Sequence, residues 1–228
     1  MNSKIYITSK GFVSTHLQKA FKDNLVDNIQ SADIVINTVG ILKQTKYTYE
    51  ESHVEFVKNL IPKLKNKKLI HFSALGSRLN HPSKYMHTKA VAEKLIKQNL
   101  SNYAIIKPSI ILGEGQKLYE DLEKFRFMPF LLVPKMKVQP VKIDQLITLV
   151  KEIINKDLKG EFNLCGEKVM SMKELFLSVF MTFGKSPYLF EMPKQFFLLA
   201  YPLLSLFDII SKDEVLMIED NICKDKNG

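Results

Sequence analysis

The chain has 228 residues, 46% of them hydrophobic and 25% charged, a balance that excludes intrinsic disorder and the collagen-like or coiled-coil classes. Thirty-three basic residues against 24 acidic ones give a net charge of +9, which admits anionic partners. All the basic residues except Arg78 and Arg126 are lysines, which lack the bidentate fork of base readers, and tryptophan is absent, so no dedicated nucleic-acid binding is expected.

Strand-like and helix-like patterns alternate along the first two thirds of the chain. Lys4–Thr8 (KIYIT) reads as a strand, and the apolar stripe of Phe12, Val13, Leu17, Ala20 and Phe21 as a helix. Asp33–Val39 is a buried strand, Tyr49–Leu64 a helix, Lys68–Ser73 a strand and Ser83–Gln98 a helix. Tyr103–Lys107 is a strand stopped by Pro108. Gly113-Glu114-Gly115 opens a loop and helix, 127–141 is irregular and proline-punctuated, Asp144–Ile154 is a helix and Glu161–Cys165 a last short strand. From Ser171 onward the pattern is helical, cut by Pro187, Pro193 and Pro202, and 224–228 is a solvated tail. The fold class is therefore α/β. A parallel sheet with helices on both faces occupies residues 1–166, and 167–228 form a small, mostly helical C-terminal lobe to which 113–140 contribute.

Phe196–Ile210 (FFLLAYPLLSLFDII) is too short for a membrane span and carries Pro202, Ser205 and Asp208. It reads as a buried helix, with docking on a membrane or partner surface as the alternative. Met1–Lys4 runs directly into the first strand, leaving no room for a leader in the chain as written. Cys165 and Cys223 lie far apart, so neither a disulfide nor a metal knuckle is expected, and a reducing compartment fits best. The five histidines show no metal-ligand spacing, so no metal is expected, and His71 reads as a satisfied core residue.

The first strand and helix are joined by Thr8-Ser9-Lys10-Gly11-Phe12-Val13-Ser14, the place of a pyrophosphate-binding turn, where free helix N–H groups meet the phosphates. Only one of the three fingerprint glycines is present, with Ser9 and Ser14 near the other two places. The turn reads either as a phosphate site or as a vestige of one. Only 19 positions separate Ser14 from Asp33, too few for a helix plus two further strands, so the second and third strands of the dinucleotide fold are expected to be missing. Asp33 starts its strand, opposite the ligand end, and reads as structural.

Tyr85 and Lys89 sit four residues apart on one helix, where an ammonium can lower a phenol's pKa. Tyr6/Lys10 and Tyr103/Lys107 share the spacing but begin in strands. Ser73, twelve residues before Tyr85, ends a strand at the carboxyl edge where α/β ligands bind.

Several stretches carry a resemblance in order along the chain: Gly11-Phe12-Val13, Asp33–Leu42, His71–Gly76, Ser83–Lys89 with Glu93, Lys107–Gly115, Gln139–Asp144 and Ser211–Val215 with Glu219–Asn221. Together they resemble an atypical short-chain dehydrogenase/reductase, and within that group the dehydrogenase-like accessory subunit of respiratory complex I and its bacterial relatives. The resemblance implies Tyr85 as general acid/base, Lys89 as the ribose-holding lysine that lowers the tyrosine pKa, and Ser73 on the substrate carbonyl. It implies a cofactor set of Thr8, Ser9, Lys10, Gly11, Phe12, Val13, Asn37, Thr38, Gly40, Lys89 and Pro108, with simple turn duty as the other reading of Asn37, Thr38 and Gly40. The implied cofactor is NADP or NAD, bound weakly or not at all given the lost glycines and strands. The implied function is a non-catalytic subunit of a complex I-type NADH:quinone oxidoreductase. Its partners are respiratory complex subunits, on the cytoplasmic side of a bacterial inner membrane or the matrix side of a mitochondrial one. The alternative is a freestanding NAD(P)H-dependent reductase or epimerase using Ser73, Tyr85 and Lys89.

Overall fold

The structure, a computed structural model, describes residues 3–205 and 210–223. In chain order the elements are β1 (Ile5–Ile7), α1 (Phe12–Ala20), β2 (Ile34–Asn37), α2 (a helical run over 50–64), β3 (Lys68–Phe72), α3 (Lys84–Asn99), β4 (Tyr103–Pro108) and β5 (Ile111–Leu112). They continue with α4 (Lys117–Glu123), β6 (Phe130–Pro134), β7 (Lys137–Val138), β8 (Val141–Lys142), α5 (Ile143–Asn155) and β9 (Gly160–Leu164). The last are β10 (Met170–Ser171), α6 (Met172–Thr182), β11 (Tyr188–Met192), α7 (Lys194–Ser205) and α8 (Lys212–Leu216). The chain divides into two compact units, residues 1–108 with 142–164 and residues 109–141 with 165–228.

The first unit is a five-stranded parallel sheet in the order β1-β2-β3-β4-β9. β2 and β3 are buried on both faces, as a parallel sheet covered by helices requires. On one face Val35, Leu69 and Ile105 pack against Val57, Leu60 and Leu64 of α2 and Ala92 and Ile96 of α3. α1 packs beside α5, whose Leu146, Val150 and Ile153 are fully buried. Ser83 starts α3, its hydroxyl accepting the Met86 N–H at 3.3 Å, a cap the sequence shows as a serine before the periodic run.

Between α1 and β2 the described residues hold no full counterpart of the dinucleotide fold's second and third strands, and a trace of one remains. Leu25 makes a single parallel bridge to Ile5, with the Val26 N–H donating to the Ile5 carbonyl at 3.0 Å. The neighbouring Lys4 carbonyl receives the amides of Asp33 and Ile34 at the start of β2. Successive carbonyls of a strand point to opposite sides, so the Leu25 bridge lies on the outer edge of β1, where a second strand would run. Asp33 is structural, its carboxylate accepting the Lys4 amide at 2.8 Å.

The second unit adds strands to the mostly helical lobe read from the sequence and corrects the irregular reading of 127–141. β6 and β11 pair in parallel, in the register Tyr188↔Phe130 through Met192↔Pro134, and β7 pairs with β10 antiparallel. Leu131, Val133 and Leu189 of the ribbon face Val179 and Phe180 of α6 and Leu122 of α4. α7 buries Phe197 against Val215 and Ile218 while Leu199 and Leu203 stand exposed, so it is amphipathic where a buried helix is expected. The rest of the apolar stretch, 206–209, lies outside the described residues, as does the 224–228 tail. No helix among the described residues is long and apolar enough to cross a membrane.

Cys165 and Cys223, expected to be unpaired, are joined in a disulfide with their Cα atoms 6.0 Å apart. The chain end reaches Cys165 because Asn221 is stitched to β7: its N–H donates to the Lys137 carbonyl at 2.8 Å and its carbonyl accepts the Gln139 N–H at 3.0 Å. Spacing along the chain carries no signal of that return.

Candidate functional site

The carboxyl ends of β1, β2 and β3 bring most of the expected residues together. Asn37, buried at the end of β2, organises them. Its side-chain oxygen accepts the Thr8 hydroxyl at 3.0 Å and the Val39 N–H at 3.1 Å, which leaves its amide nitrogen to donate to Nδ1 of His71 at 3.0 Å. His71 is therefore protonated on Nε2, and that buried N–H has no partner among the described residues, unlike the satisfied histidine expected. Ser9 and Thr38 share a hydroxyl–hydroxyl bond at 2.8 Å, which ties the first turn to the second.

The turn between β1 and α1, where a phosphate site or its vestige is expected, is closed on itself. Ser14, fully buried in the first turn of α1, accepts the Gly11 N–H at 2.6 Å and returns its own hydroxyl to the Gly11 carbonyl at 3.0 Å. Gly11 is extended, with φ −170°, and a Cβ there would meet nothing nearer than the Ser14 Oγ at 3.8 Å. Neither backbone nor packing demands a glycine. Lys10 and Gly11 are exposed, while Phe12 and Val13 are half-buried, Phe12 lying edge-on to His16.

Lys89 is buried, and its ammonium donates to the Phe72 carbonyl at 3.1 Å. Desolvation lowers it to about 8, partly offset by the Glu93 carboxylate. A Cβ on Gly40 would lie 2.9 Å from its Nζ and 3.7 Å from Nε2 of His53, so a side chain here would press on both nitrogens. His53 lies in the π-helical turn Glu50–Glu55 that opens α2, buried beside the loop that carries Gly40 and Ile41. Thr88 gives its hydroxyl proton to the Lys84 carbonyl at 2.8 Å, so His53 Nδ1 donates to Thr88 Oγ1, also at 2.8 Å. Nε2 is then the acceptor, and takes the Ile41 N–H at 3.4 Å. Burial, with Lys89 and His71 nearby, drives the His53 pKa down to about 2, and burial likewise lowers His71.

Tyr85 is half-buried in an aromatic cluster, edge-on to Tyr49 with ring centroids 5.8 Å apart and to His53 at 5.4 Å. Desolvation pushes its phenol up to about 12, the reverse of the lysine-driven lowering expected from sequence. The phenol is thus held in its neutral, protonated form at neutral pH, a weaker acid than a free tyrosine.

Ser73 belongs to a different constellation. Its hydroxyl proton goes to the buried Glu93 carboxylate, which also accepts Ser77 Oγ at 2.5 Å and pairs with Lys107 Nζ at 2.8 Å. Lys107 continues to Glu161 at 2.5 Å, and Glu161 to Lys97 at 2.8 Å. A hydroxyl has one proton, so Ser73, donating to Glu93, has none left for a second acceptor. Pro108 ends β4, with its carbonyl accepting the Leu75 N–H at 3.0 Å. Sequence reasoning missed Tyr49, His53, Ser77 and Thr88, which carry no local motif.

Comparison with known proteins adds three findings. The model of an NAD-binding family described as male sterility protein matches residues 9–150. A relative from Dictyostelium discoideum, the mitochondrial NADH dehydrogenase [ubiquinone] 1 alpha subcomplex subunit 9, is 29% identical over 64% of this chain and 43% of its own length, so the chain spans less than half of that relative. Among solved structures, a dTDP-4-dehydrorhamnose reductase from Clostridium acetobutylicum superposes with a TM-score of 0.71 at 17% identity, covering 85% of each chain. One from Bacillus anthracis in complex with NADP gives 0.70 at 15% identity, covering 95% of this chain and 98% of its own. At these identities the likeness is one of fold.

Proposed function

The chain belongs to the NAD-binding family described as male sterility protein, and from that premise we propose that it serves as a non-catalytic accessory subunit of a complex I-type NADH:quinone oxidoreductase. The observation that carries this reading is the capture of Ser73 by Glu93. A reductase of this architecture needs the serine proton for the substrate carbonyl, and here a carboxylate paired with Lys107 holds it. Similarity to the mitochondrial subunit 9 points to the assembly.

The residues fit one half of a dinucleotide better than the other. Gly40, Lys89 and Asn37 suit the ribose and nicotinamide end, whereas the Gly11 amide meant for pyrophosphate is taken by Ser14, and the strands that would carry the adenosine half are reduced to the Leu25 bridge. NADP or NAD is therefore a weak ligand. The test is purification of the tagged protein from its native membranes with mild detergent. Co-migration with NADH:quinone oxidoreductase subunits is expected, and a chain that never accompanies them overturns the reading.

A second reading, a reductase or epimerase, draws on Lys89, which burial brings to about 8, standing one helical turn from the protonated Tyr85 phenol. It requires carbonyl-dependent NADPH oxidation that Tyr85→Phe abolishes; oxidation left intact in that variant dismisses it.

A further inference from the structure

β6 and β11 form a two-stranded ribbon with one face on the second unit's core and the other unpartnered. The register sets Tyr188 beside Phe130 and Phe190 beside Leu132, and these four side chains share the outer face at 77%, 60%, 54% and 41% exposure. Alternation alone would put polar residues there, as on any sheet with one wet face. Phe127, 75% exposed, precedes β6, with the Arg126 guanidinium 4.7 Å and the Lys185 ammonium 5.5 Å from its ring centre.

The surrounding charge is positive in excess. Residues 120–137 hold Lys124, Arg126, Lys135 and Lys137 against Glu120, Asp121 and Glu123, with Lys124 paired to Asp121 and Arg126 to Glu123, and 181–194 add Lys185 and Lys194 against Glu191. Aromatic rings flanked by lysines suit the headgroup layer of a bilayer, where rings enter the interface and long cationic side chains reach the phosphates. A protein partner's interface core would instead be depleted of lysine. We propose that the outer face of the β6–β11 ribbon docks on an anionic lipid surface, the rings of Phe130, Tyr188 and Phe190 entering the interface and the basic residues pairing with lipid phosphates. The proposal stands on the second unit alone and is independent of the nucleotide site.

Co-sedimentation of the intact chain with vesicles tests it. Vesicles of phosphatidylcholine with about one third phosphatidylglycerol should bind at least about tenfold more tightly than phosphatidylcholine alone. Phe130→Ser/Phe190→Ser should lower that binding about tenfold or more, with an unchanged circular dichroism spectrum, because both side chains already face water. Lys124→Glu/Lys185→Glu should abolish the preference for the anionic vesicles. Binding that survives loss of the two rings reduces the effect to net charge and overturns the proposal. So does equal, weak sedimentation with every vesicle, and so does a concentration-dependent dimer that the ring variant dissolves without any vesicle binding.

Discussion

Lys89 titrates near 10.5 when unfolded and about 8 when folded, so between these values the unfolded chain binds more protons and stability rises with pH. Below that window both forms are charged and the fold bears the full cost of the buried ammonium. Tyr85 acts oppositely above 10, because its folded value of about 12 exceeds its unfolded one. The interval from pH 8 to 10 therefore isolates Lys89. Relative to Lys89→Met, the wild-type chain should gain on the order of 2 kcal/mol across that interval, read from urea midpoints. Parallel pH profiles would remove the buried charge from the account. On the acid side, unfolded His53 takes up a proton below 6.5 that the folded ring refuses until about 2, so stability falls as pH drops through this range. The slope is about 1.4 kcal/mol per pH unit for each such histidine, and His53→Asn should flatten the acid limb by that amount. Gly11→Ala separates ligand duty from fold duty: the space around Gly11 is open and its backbone extended, so the melting temperature should hold within about 2 °C.

At the scale of elements, buried networks and tight crossings decide what can change. Glu93→Gln leaves Lys107 its pair with Glu161 but removes the charge that holds Ser73 and Ser77, and should cost about 1–3 kcal/mol in chemical denaturation. Gly166 has less freedom: a Cβ there would stand 2.0 Å from the Pro140 carbonyl oxygen. Gly166→Ala should lower stability by more than about 3 kcal/mol or prevent folding, and a midpoint close to wild type would show that the crossing yields. The strands of the first unit were legible because runs such as IVIN and KLIHF are apolar on both faces and bounded by turns. β6 and β11 were not. FLLVP and YLFEM put apolar groups on both faces among prolines, and their partnership spans more than fifty residues of chain, beyond any local periodicity. The site divides in the same way. Tyr85, Lys89 and Ser73 could be named from their places on a helix and at a strand's carboxyl end together with the family resemblance, since the Tyr–Lys spacing alone recurs twice elsewhere, but the transfer of Ser73 to Glu93 depends on α3 lying against the end of β3, and His53 lies in a π-helical turn with no residue signature.

For the molecule as a whole, the Cys165–Cys223 bond closes a long stretch, with a sequence separation of 58. Replacing both cysteines by serine should cost about 4 kcal/mol by the chain-entropy argument, and reductant should reproduce the loss in the wild-type chain and leave the variant unmoved.

The first unit is discontinuous, and that fixes an order of events during synthesis. β1 to β4 leave the ribosome as a contiguous series of neighbours, but the sheet's last strand, β9, is made only after residues 109–141 and α5 have been translated. Until then β4 presents an unpaired edge bearing Ala104, Ile105 and Ile106, all of which are fully buried in the finished fold. A nascent chain paused between 109 and 160 thus carries an open strand edge of the kind that recruits chaperones or other chains. Ribosome-bound chains stalled in this interval should be far more protease-sensitive than chains stalled a tunnel's length beyond Leu164.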